Sequence, residues 1–294
     1  VSGRAAERRA MAGTGRGRSA VITLGLTVAL ILTLVPFAWM TFASFKGPVE
    51  LSIRPPTWWP VQPTVANYVE WLTRLDFPLH FANSLIVALC VVAGNLVFCS
   101  MAGYALAKLE FAGRRVLFLL VMATLMVPGI ATMVPLFVLV ANLGLVNTYP
   151  ALILPFIATP LGVFLMRQYM LAVPTSLLDA ARIDGAGELR ILFRVVLPLC
   201  GAPLATLAVL TFLTSWNNFL WPLIVAQTEE MYTVPVALSL YSIGAGGIQY
   251  GLLMAGSVLA LAPILLLYLV FHRFVIRGLT ATGAPAALSD ATER

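Results

Sequence analysis

Apolar residues in this chain run in long uncharged blocks separated by short polar segments, without the period-two alternation of barrel strands. Blocks of this length cross a bilayer only as helices, because hydrocarbon offers no partner to an unsatisfied backbone group. From Ser19 to Phe45 there is no charge, which exceeds the roughly 20 residues needed to cross about 30 Å of hydrocarbon. This first block is longer than a signal-peptide core and no clear A-x-A cleavage site follows it, so it is expected to be a retained span. A second block runs from about Phe81 to Ala107 and is closed by Lys108, Arg114 and Arg115.

From Val116 to Met166 there are 51 uncharged residues, which as one helix would measure about 76 Å. The turn formers of NLGLVNTYP, Asn142 to Pro150, divide the run. A polar segment at 172–194 precedes the uncharged run Val195 to Thr228, and a final block lies near Gly251 to Phe271. The pattern predicts spans at about 20–45, 81–107, 116–140, 150–171, 200–226 and 251–271. The expected fold is all-α, an integral membrane bundle of six transmembrane helices. It is flanked by a disordered basic tail at 1–18 and a flexible tail at 278–294, with the six-helix transmembrane body at 19–277.

Composition agrees, since 60% of residues are apolar and 10% charged, too few charges for a water-soluble surface. The net charge of +6 reads as topology and not as a nucleic-acid footprint. With both termini inside, the inner segments carry 15 of the 18 basic residues and 7 of the 12 acidic ones. The positive-inside rule then makes that face cytoplasmic, N-in and C-in. Segments 46–80, with Trp58 and Trp59 among prolines, and 227–250, with Glu229 and Glu230, become external loops. The Trp pair is expected at the membrane interface. Cys90, Cys99 and Cys200 lie in or beside apolar blocks without ligand spacing, so neither disulfide nor metal is expected.

The segment Pro174 to Pro198, PTSLLDAARIDGAGELRILFRVVLP, reads as a cytoplasmic helix–turn–helix. Thr175 or Ser176 is placed to cap its first helix, with Asp179 at capping-box spacing. Gly185 and Gly187 supply the turn. The low bulk of Ala180 and Ala181 lets a partner approach the backbone. Leu177, Leu178 and Ile183 then offer apolar contact, and Arg182, Asp184 and Glu188 set orientation by charge. A surface helix lying in the headgroups fits these residues equally well.

Asp179-Ala180-Ala181, then Asp184-Gly185-Ala186, then Leu197-Pro198, resembles the EAA loop of bacterial ATP-binding-cassette importer permeases, with Asp179 in place of the usual Glu. Asn83-Ser84-Leu85, Gly103-Tyr104-Ala105-Leu106-Ala107, Phe164-Leu165-Met166-Arg167 and Trp216-Asn217-Asn218-Phe219-Leu220-Trp221-Pro222 extend the likeness to carbohydrate-uptake permeases, over about residues 25–280. The match is to the maltose-type second permease. The resemblance implies binding-protein-dependent sugar uptake across the inner membrane. It also implies a heterodimer with a second permease subunit, two ATP-binding subunits gripping the coupling loop, and an extracytoplasmic substrate-binding protein approached by segment 227–250.

Asn217 and Asn218, beside Thr214 and Ser215, place amides in the fifth block, where they either bond a neighbouring helix or face a solute path. Trp216 and Trp221 either pack or bracket a sugar ring. Prolines 128, 135, 155, 160, 222 and 263 fall within the spans and are expected to bend them. No span contains Asp, Glu or His. An ion-coupled carrier commonly places such groups there, at about 2.5–3.5 kcal/mol each, so the driving energy is expected to enter from a separate motor. An enzyme reading finds no catalytic set, because His80 and His272 fall on opposite faces and the carboxylates cluster at Asp179, Asp184 and Glu188. The GTGRGRS tail at 13–19 lacks the lysine ending of a phosphate loop. ATP hydrolysis is therefore expected on a partner subunit, and no cofactor in this one. The alternatives are an ion-coupled secondary carrier, or a permease for a solute such as glycerol phosphate.

Overall fold

The computed structural model describes residues 3–244 and 247–282. It is an all-helical membrane bundle, with a single two-rung antiparallel ladder among the described residues, Ile243↔Ile248 and Gly244↔Gly247. In chain order the helices are α1 Gly3–Ser44, α2 Pro48–Leu51, α3 Ala66–Thr73 and α4 Phe77–Lys108. Then come α5 Arg114–Leu125, α6 Gly129–Asn142, α7 Tyr149–Phe156 and α8 Pro160–Leu171. The remainder are α9 Thr175–Ile183, α10 Glu188–Leu199, α11 Gly201–Trp216, α12 Leu220–Val225, α13 Val234–Tyr241 and α14 Tyr250–Thr282.

Among the described residues, three helices are long and apolar enough to cross a membrane unbroken, and up to six crossings result if each sharply bent pair counts as one. The bends are 103° between α5 and α6, 42° between α7 and α8, and 87° between α10 and α11. Proline explains where each falls. Residues preceding proline avoid the helical region, and Thr159 before Pro160 is extended at φ −108°, ψ 142°. Pro128 itself sits at ψ 126° ahead of α6. Pro203 lacks the N–H that would reach the Leu199 carbonyl, and its ring crowds that carbonyl. The chain accordingly leaves helical geometry at Cys200, ψ 26°.

Three expectations about the ends and loops need correction. Residues 1–18 were expected to be disordered, but α1 begins at Gly3 and runs unbroken into the apolar span. The span supplies the costly helix nucleus, and Ala, Arg and Met propagate it cheaply. The expected C-terminal tail at 278–294 is helical to Thr282, and its remainder lies outside the described residues. The polar segments are also more structured than loops, holding α2 and α3 in one case and α13 in the other.

The chain divides into two compact units, Val1–Leu75 with Tyr241–Leu259, and Asp76–Leu240 with Ala260–Arg294. In the first, α1 bonds its threonine hydroxyls back into its own backbone, Thr27 to Thr23 and Thr33 to Ala29, which removes them as polar liabilities in lipid. Segment 46–62 folds onto the end of this helix. Lys46, with its side chain 2% exposed, donates to the Thr57 carbonyl and hydroxyl and lies over the Trp39 ring. Trp58 meets Trp39 edge-on at 5.2 Å, and Trp59 packs on Phe42 at 4.3 Å.

In the second unit the core joins the end of α4 to α8, α9 and α10 through Cys99, Tyr104, Met166, Leu178, Ile191 and Val196. The α4–α8 approach depends on Gly103, where a Cβ would lie 2.8 Å from Met166 Cβ and 2.9 Å from the Arg167 backbone nitrogen. Small residues at such crossings let membrane helices close to backbone contact. Asn95 ties the same helix to the α7–α8 bend. Its amide nitrogen donates to the Val91 and Phe156 carbonyls, and its oxygen accepts from Thr159 N at 3.1 Å and Thr159 Oγ1 at 2.7 Å. A π-helical turn at Asn95–Cys99 accompanies this hub.

Candidate functional site: the stapled loop and the broken helix

The loop between α8 and α11 folds as a helix, a tight glycine turn and a second helix. At its turn, Gly185 adopts φ +78°, a region that L side chains resist. The Gly185 amide bonds the Arg182 carbonyl, and the Ala186 amide bonds the Ala181 carbonyl, the two bonds of a Schellman stop. Ala181 and Ala186 pack against the core below. Gly187 was expected to share the turn but sits at φ −71° as the N-cap of α10. The expected capping box does not form: Pro174 occupies the N-cap of α9 and no side chain caps it.

Asp179 instead accepts from Arg182 Nη1 at 2.9 Å, while Arg182 Nε donates to Glu188 Oε1 at 2.9 Å. The other Glu188 oxygen accepts the Tyr104 hydroxyl at 2.5 Å. The Arg182 guanidinium, and then the Tyr104 hydroxyl, hold the Glu188 carboxyl below its ordinary range. Arg182 is in turn held more firmly charged by its bond to Glu188. Arg182, Asp184 and Glu188 were expected to orient a partner by charge, and Asp179 to complete the capping box. In the structure Asp179, Arg182 and Glu188 staple the loop to itself and to α4, whereas Asp184 makes no ion pair among the described residues. The apolar expectation also changes, because Leu178 is buried in the chain's own core. Ile183, 87% exposed, dominates the outward face with Leu177, Leu189 and exposed Ala180.

The second candidate region is the WNNFLWP segment. It was expected in mid-span, but α11 ends at Trp216 and α12 restarts at Leu220. Pro222 forbids a helical bond to the Asn218 carbonyl, so the helix has to open at that position. Asn217 closes α11, its amide donating back to the Leu213 carbonyl at 2.8 Å. Asn218 lines two cavities. One of about 240 Å³ includes Ser84, Thr159, Thr211 and Thr233. The other, of about 500 Å³, includes Thr132, Phe156 and Trp221. The tryptophans do not bracket a ring-sized space. Each is 2% exposed, with Trp216 bonded to the Ala260 carbonyl and stacked on Phe212, and Trp221 bonded to the Ala151 carbonyl.

A third arrangement escaped residue-by-residue reading. Asn83 donates to the Glu230 carbonyl at 2.7 Å and the Tyr232 carbonyl at 3.0 Å, and accepts the Tyr149 hydroxyl. Ser84 accepts from the Val234 amide. Asn147, at φ +60°, accepts from the Gln227 and Thr228 amides. Segment 227–234 is thus strapped to α4 and to the start of α7. The sequence signal was the Asn83-Ser84 pair opening α4 and the turn-forming Asn147.

Bent apolar helices enclosing largely apolar cavities with a few hydroxyls and amides, and a stapled helix–turn–helix between two of them, mark a multi-pass membrane protein of the all-helical class. Residues 99–281 match the family described as binding-protein-dependent transport system inner membrane component. An arabinooligosaccharide transport system permease protein of Halalkalibacterium halodurans is 42% identical over 266 residues, covering 90% of this chain and 95% of that one. A trehalose/maltose transport system permease protein of Thermococcus litoralis is 33% identical, covering 89% and 95%. A sulfoquinovosyl glycerol permease protein of Agrobacterium fabrum is 34% identical, covering 88% and 92%. A crystallised bacterial ABC transporter involved in import of the acidic polysaccharide alginate shares the fold, with TM-score 0.78 over 88% of this chain and 97% of that one at 24% identity. The chain belongs to the binding-protein-dependent transport system inner membrane component family, and is a multi-pass inner-membrane permease.

Proposed function

We propose that this chain is one of two unlike permease subunits of an ATP-binding-cassette importer that carries a sugar inward by alternating access. The observation that carries the reading is the loop between α8 and α11, a rigid helix with an outward apolar face centred on Ile183, stapled through Glu188 to Tyr104 of α4. A push on such an element is delivered to the bundle instead of being absorbed by a flexible loop. In this reading, Asp179, Ala180, Ala181, Arg182, Asp184, Gly185 and Glu188 form the seat of a cytosolic ATP-binding subunit. The termini are cytoplasmic. ATP binding closes two such subunits and moves each permease's loop.

Segments 46–80 and 227–250 face outward, toward an extracytoplasmic binding protein that delivers the solute. Asn217 and Asn218, at the opening between α11 and α12, stand beside the path, and Trp216 and Trp221 hold its walls. ATP is hydrolysed on the partner subunits. Sugar-class solutes are favoured by the relatives named above.

The test is reconstitution of the whole assembly in proteoliposomes, with ATPase and uptake measured together. Ile183→Asp places a charge in the apolar contact. It is expected to abolish association with the ATP-binding subunits while insertion and helix content stay normal. Unchanged co-purification of those subunits with the variant would remove the coupling role.

A further inference from the structure

Helix α3 lies where two membrane spans, Val21–Ser44 and Tyr250–Val270, meet the aqueous phase. Asn67 donates to the Ser44 carbonyl at 2.8 Å and the Lys46 carbonyl at 3.0 Å, which fixes α3 to the end of α1. One turn further, the Trp71 indole donates to the Leu252 carbonyl at 2.8 Å, at the start of α14. Val65, Val69 and Leu72, each at least half exposed, give the helix an uncovered apolar edge. A short anchored helix with such an edge sits at headgroup depth. Trp58, Trp59 and Tyr250, all exposed, are the residue types that collect there.

Between α3, segment 48–54 and residues 247–252 opens a cleft of about 660 Å³, within the range of roughly 300–1,000 Å³ that holds small molecules. Arg54 and Glu70 both line it with opposite charges, yet neither forms an ion pair with the other or with any described residue. The Tyr250 hydroxyl and the Gln249 side-chain amide line it too, and have no hydrogen-bond partner among the described residues. The wall that carries Arg54 is braced, because Glu50 accepts from Thr57 Oγ1 and Val61 N. A preformed space thus holds two opposite charges apart.

We infer that this cleft binds a phospholipid headgroup carrying a phosphate and a primary ammonium, the phosphate on Arg54 and the ammonium on Glu70. A guanidinium presents forked N–H donors that match phosphate oxygens, and a carboxylate accepts from ammonium N–H groups. Tyr250 and Gln249 supply further donors and acceptors from the same lining. A wholly anionic headgroup would satisfy Arg54 and set its charge against Glu70, and a choline headgroup has no N–H to give. The pair therefore selects the primary amine. Charges this open to water bind weakly in solution, but a bilayer keeps its headgroups beside the cleft at high effective concentration. The depth of the cleft follows from where the spans begin, whatever the bundle carries.

The test uses the assembled transporter in proteoliposomes of phosphatidylethanolamine and phosphatidylglycerol. Trace phosphatidylethanolamine with a photoactivated diazirine beside its headgroup is added, and labelled peptides are mapped by mass spectrometry. Label is expected on peptides spanning 48–54 and 247–252, about fivefold above that from phosphatidylcholine or phosphatidylglycerol carrying the same group. This comparison of headgroups in wild type needs no variant. Arg54→Gln and Glu70→Gln should each lower the label about threefold, with yield and helix content unchanged because neither side chain is buried. Equal labelling by the choline lipid, equal or stronger labelling by the glycerol lipid, or label undiminished in either variant overturns the site. Loss of label to millimolar soluble glycerophosphoethanolamine would make the ligand a free zwitterion and overturns the lipid assignment. Peptides that no lipid labels but that an added binding protein shields from hydroxyl-radical footprinting would make the cleft a protein-docking surface, which also overturns it.

Discussion

The Tyr104 hydroxyl donates to Glu188 Oε2 at 2.5 Å, across 84 positions of sequence. One partner lies near the end of α4 and the other opens the second helix of the stapled loop. Through this bond the loop and a membrane-spanning helix share a hydrogen-bonded chain that continues to Arg182 and Asp179. Tyr104→Phe removes the bond while keeping the ring in the core. It is expected to lower thermal stability by the equivalent of about 1 kcal/mol, below the roughly 1.5–3 kcal/mol of a bond to a charged group because Glu188 is partly exposed. Transport per ATP hydrolysed should fall with it. A double-mutant cycle with Glu188→Gln in detergent or nanodiscs measures the coupling; additive losses would mean that the two groups act separately.

The same carboxylate sets an acid limit on the loop. Glu188 titrates below its ordinary range because Arg182, then Tyr104, stabilise the charged form. Its contribution is complete above the unfolded carboxylate value, about pH 4.3, and disappears as pH falls through the lowered folded value. Amide exchange across Glu188–Ile191 should therefore be flat from pH 8 to pH 5 after correction for intrinsic rates, and accelerate below. Arg182→Gln brings the folded value back toward the unfolded one and should shrink the acid-induced acceleration. An acid response of wild-type size in that variant would place the sensitivity elsewhere.

Gly185 and Gly187 have different requirements despite their proximity. A Cβ at either meets nothing within 4 Å, so space does not distinguish them. Backbone does, since Gly185 is at φ +78° and Gly187 at φ −71°. Gly185→Val is expected to cost about 1–3 kcal/mol of loop strain and to uncouple ATPase from uptake with insertion intact. Gly185→Asn, tolerant of this region, should retain most coupling. Gly187→Ala carries no positive-φ penalty, and the N-cap preference for glycine opposes the entropic gain, so it should stay within about 1 kcal/mol of wild type. Normal uptake by Gly185→Val would show that the turn is not needed for force transfer.

Gly103 is constrained by space. Gly103→Val drives a branched side chain into the Met166 Cβ and the Arg167 backbone nitrogen, both under 3 Å from its Cβ. The helices have to separate, and the expected outcome is a loss of at least several degrees in melting temperature with reduced yield from membranes. Melting curves in nanodiscs settle the point, with Gly129→Ala, where nothing lies within 4 Å of the new Cβ, as the open-space control.

The helical membrane bundle was legible in the sequence because uncharged length alone dictates it. The glycine-centred loop was legible because Asp184-Gly185-Ala186 interrupts two apolar-periodic stretches. The breaks were only half legible. Proline marked the bends at 128 and 160, yet the opening at 217–219 depends on Pro222 acting four residues upstream, and the run WNNFLWP sits within one continuous uncharged stretch. The charges of the loop were read as outward because their partners are not local: Glu188 is fixed by a tyrosine 84 positions away. Trp216 and Trp221 illustrate the same limit. Their carbonyl partners, Ala260 and Ala151, leave no trace in residue type, so packing and solute stacking look alike until the chain is folded.

Segment 227–250 looked exposed and flexible from its glycines and glutamates, yet its first part is strapped down by two asparagines. Asn83 reaches the carbonyls of Glu230 and Tyr232, and Asn147 takes the amides of Gln227 and Thr228. Backbone groups satisfied this way hold a loop in one conformation, and a rigid platform is what a docking protein needs. Asn83→Leu removes both donors and the acceptor for Tyr149 while preserving approximate size. It takes away the Glu230 carbonyl's donor and the Tyr149 hydroxyl's acceptor, and leaves the Tyr232 carbonyl to His80 Nδ1. The strap should open, exposing 227–234 to protease in right-side-out proteoliposomes at a rate at least tenfold above wild type, and binding-protein-stimulated ATPase should fall while the basal rate persists. Asn83→Asp keeps the Tyr149 contact but sets a carboxylate against two carbonyls. It should therefore resemble the leucine variant; protection at the wild-type level in both would show that the segment is held by something other than Asn83.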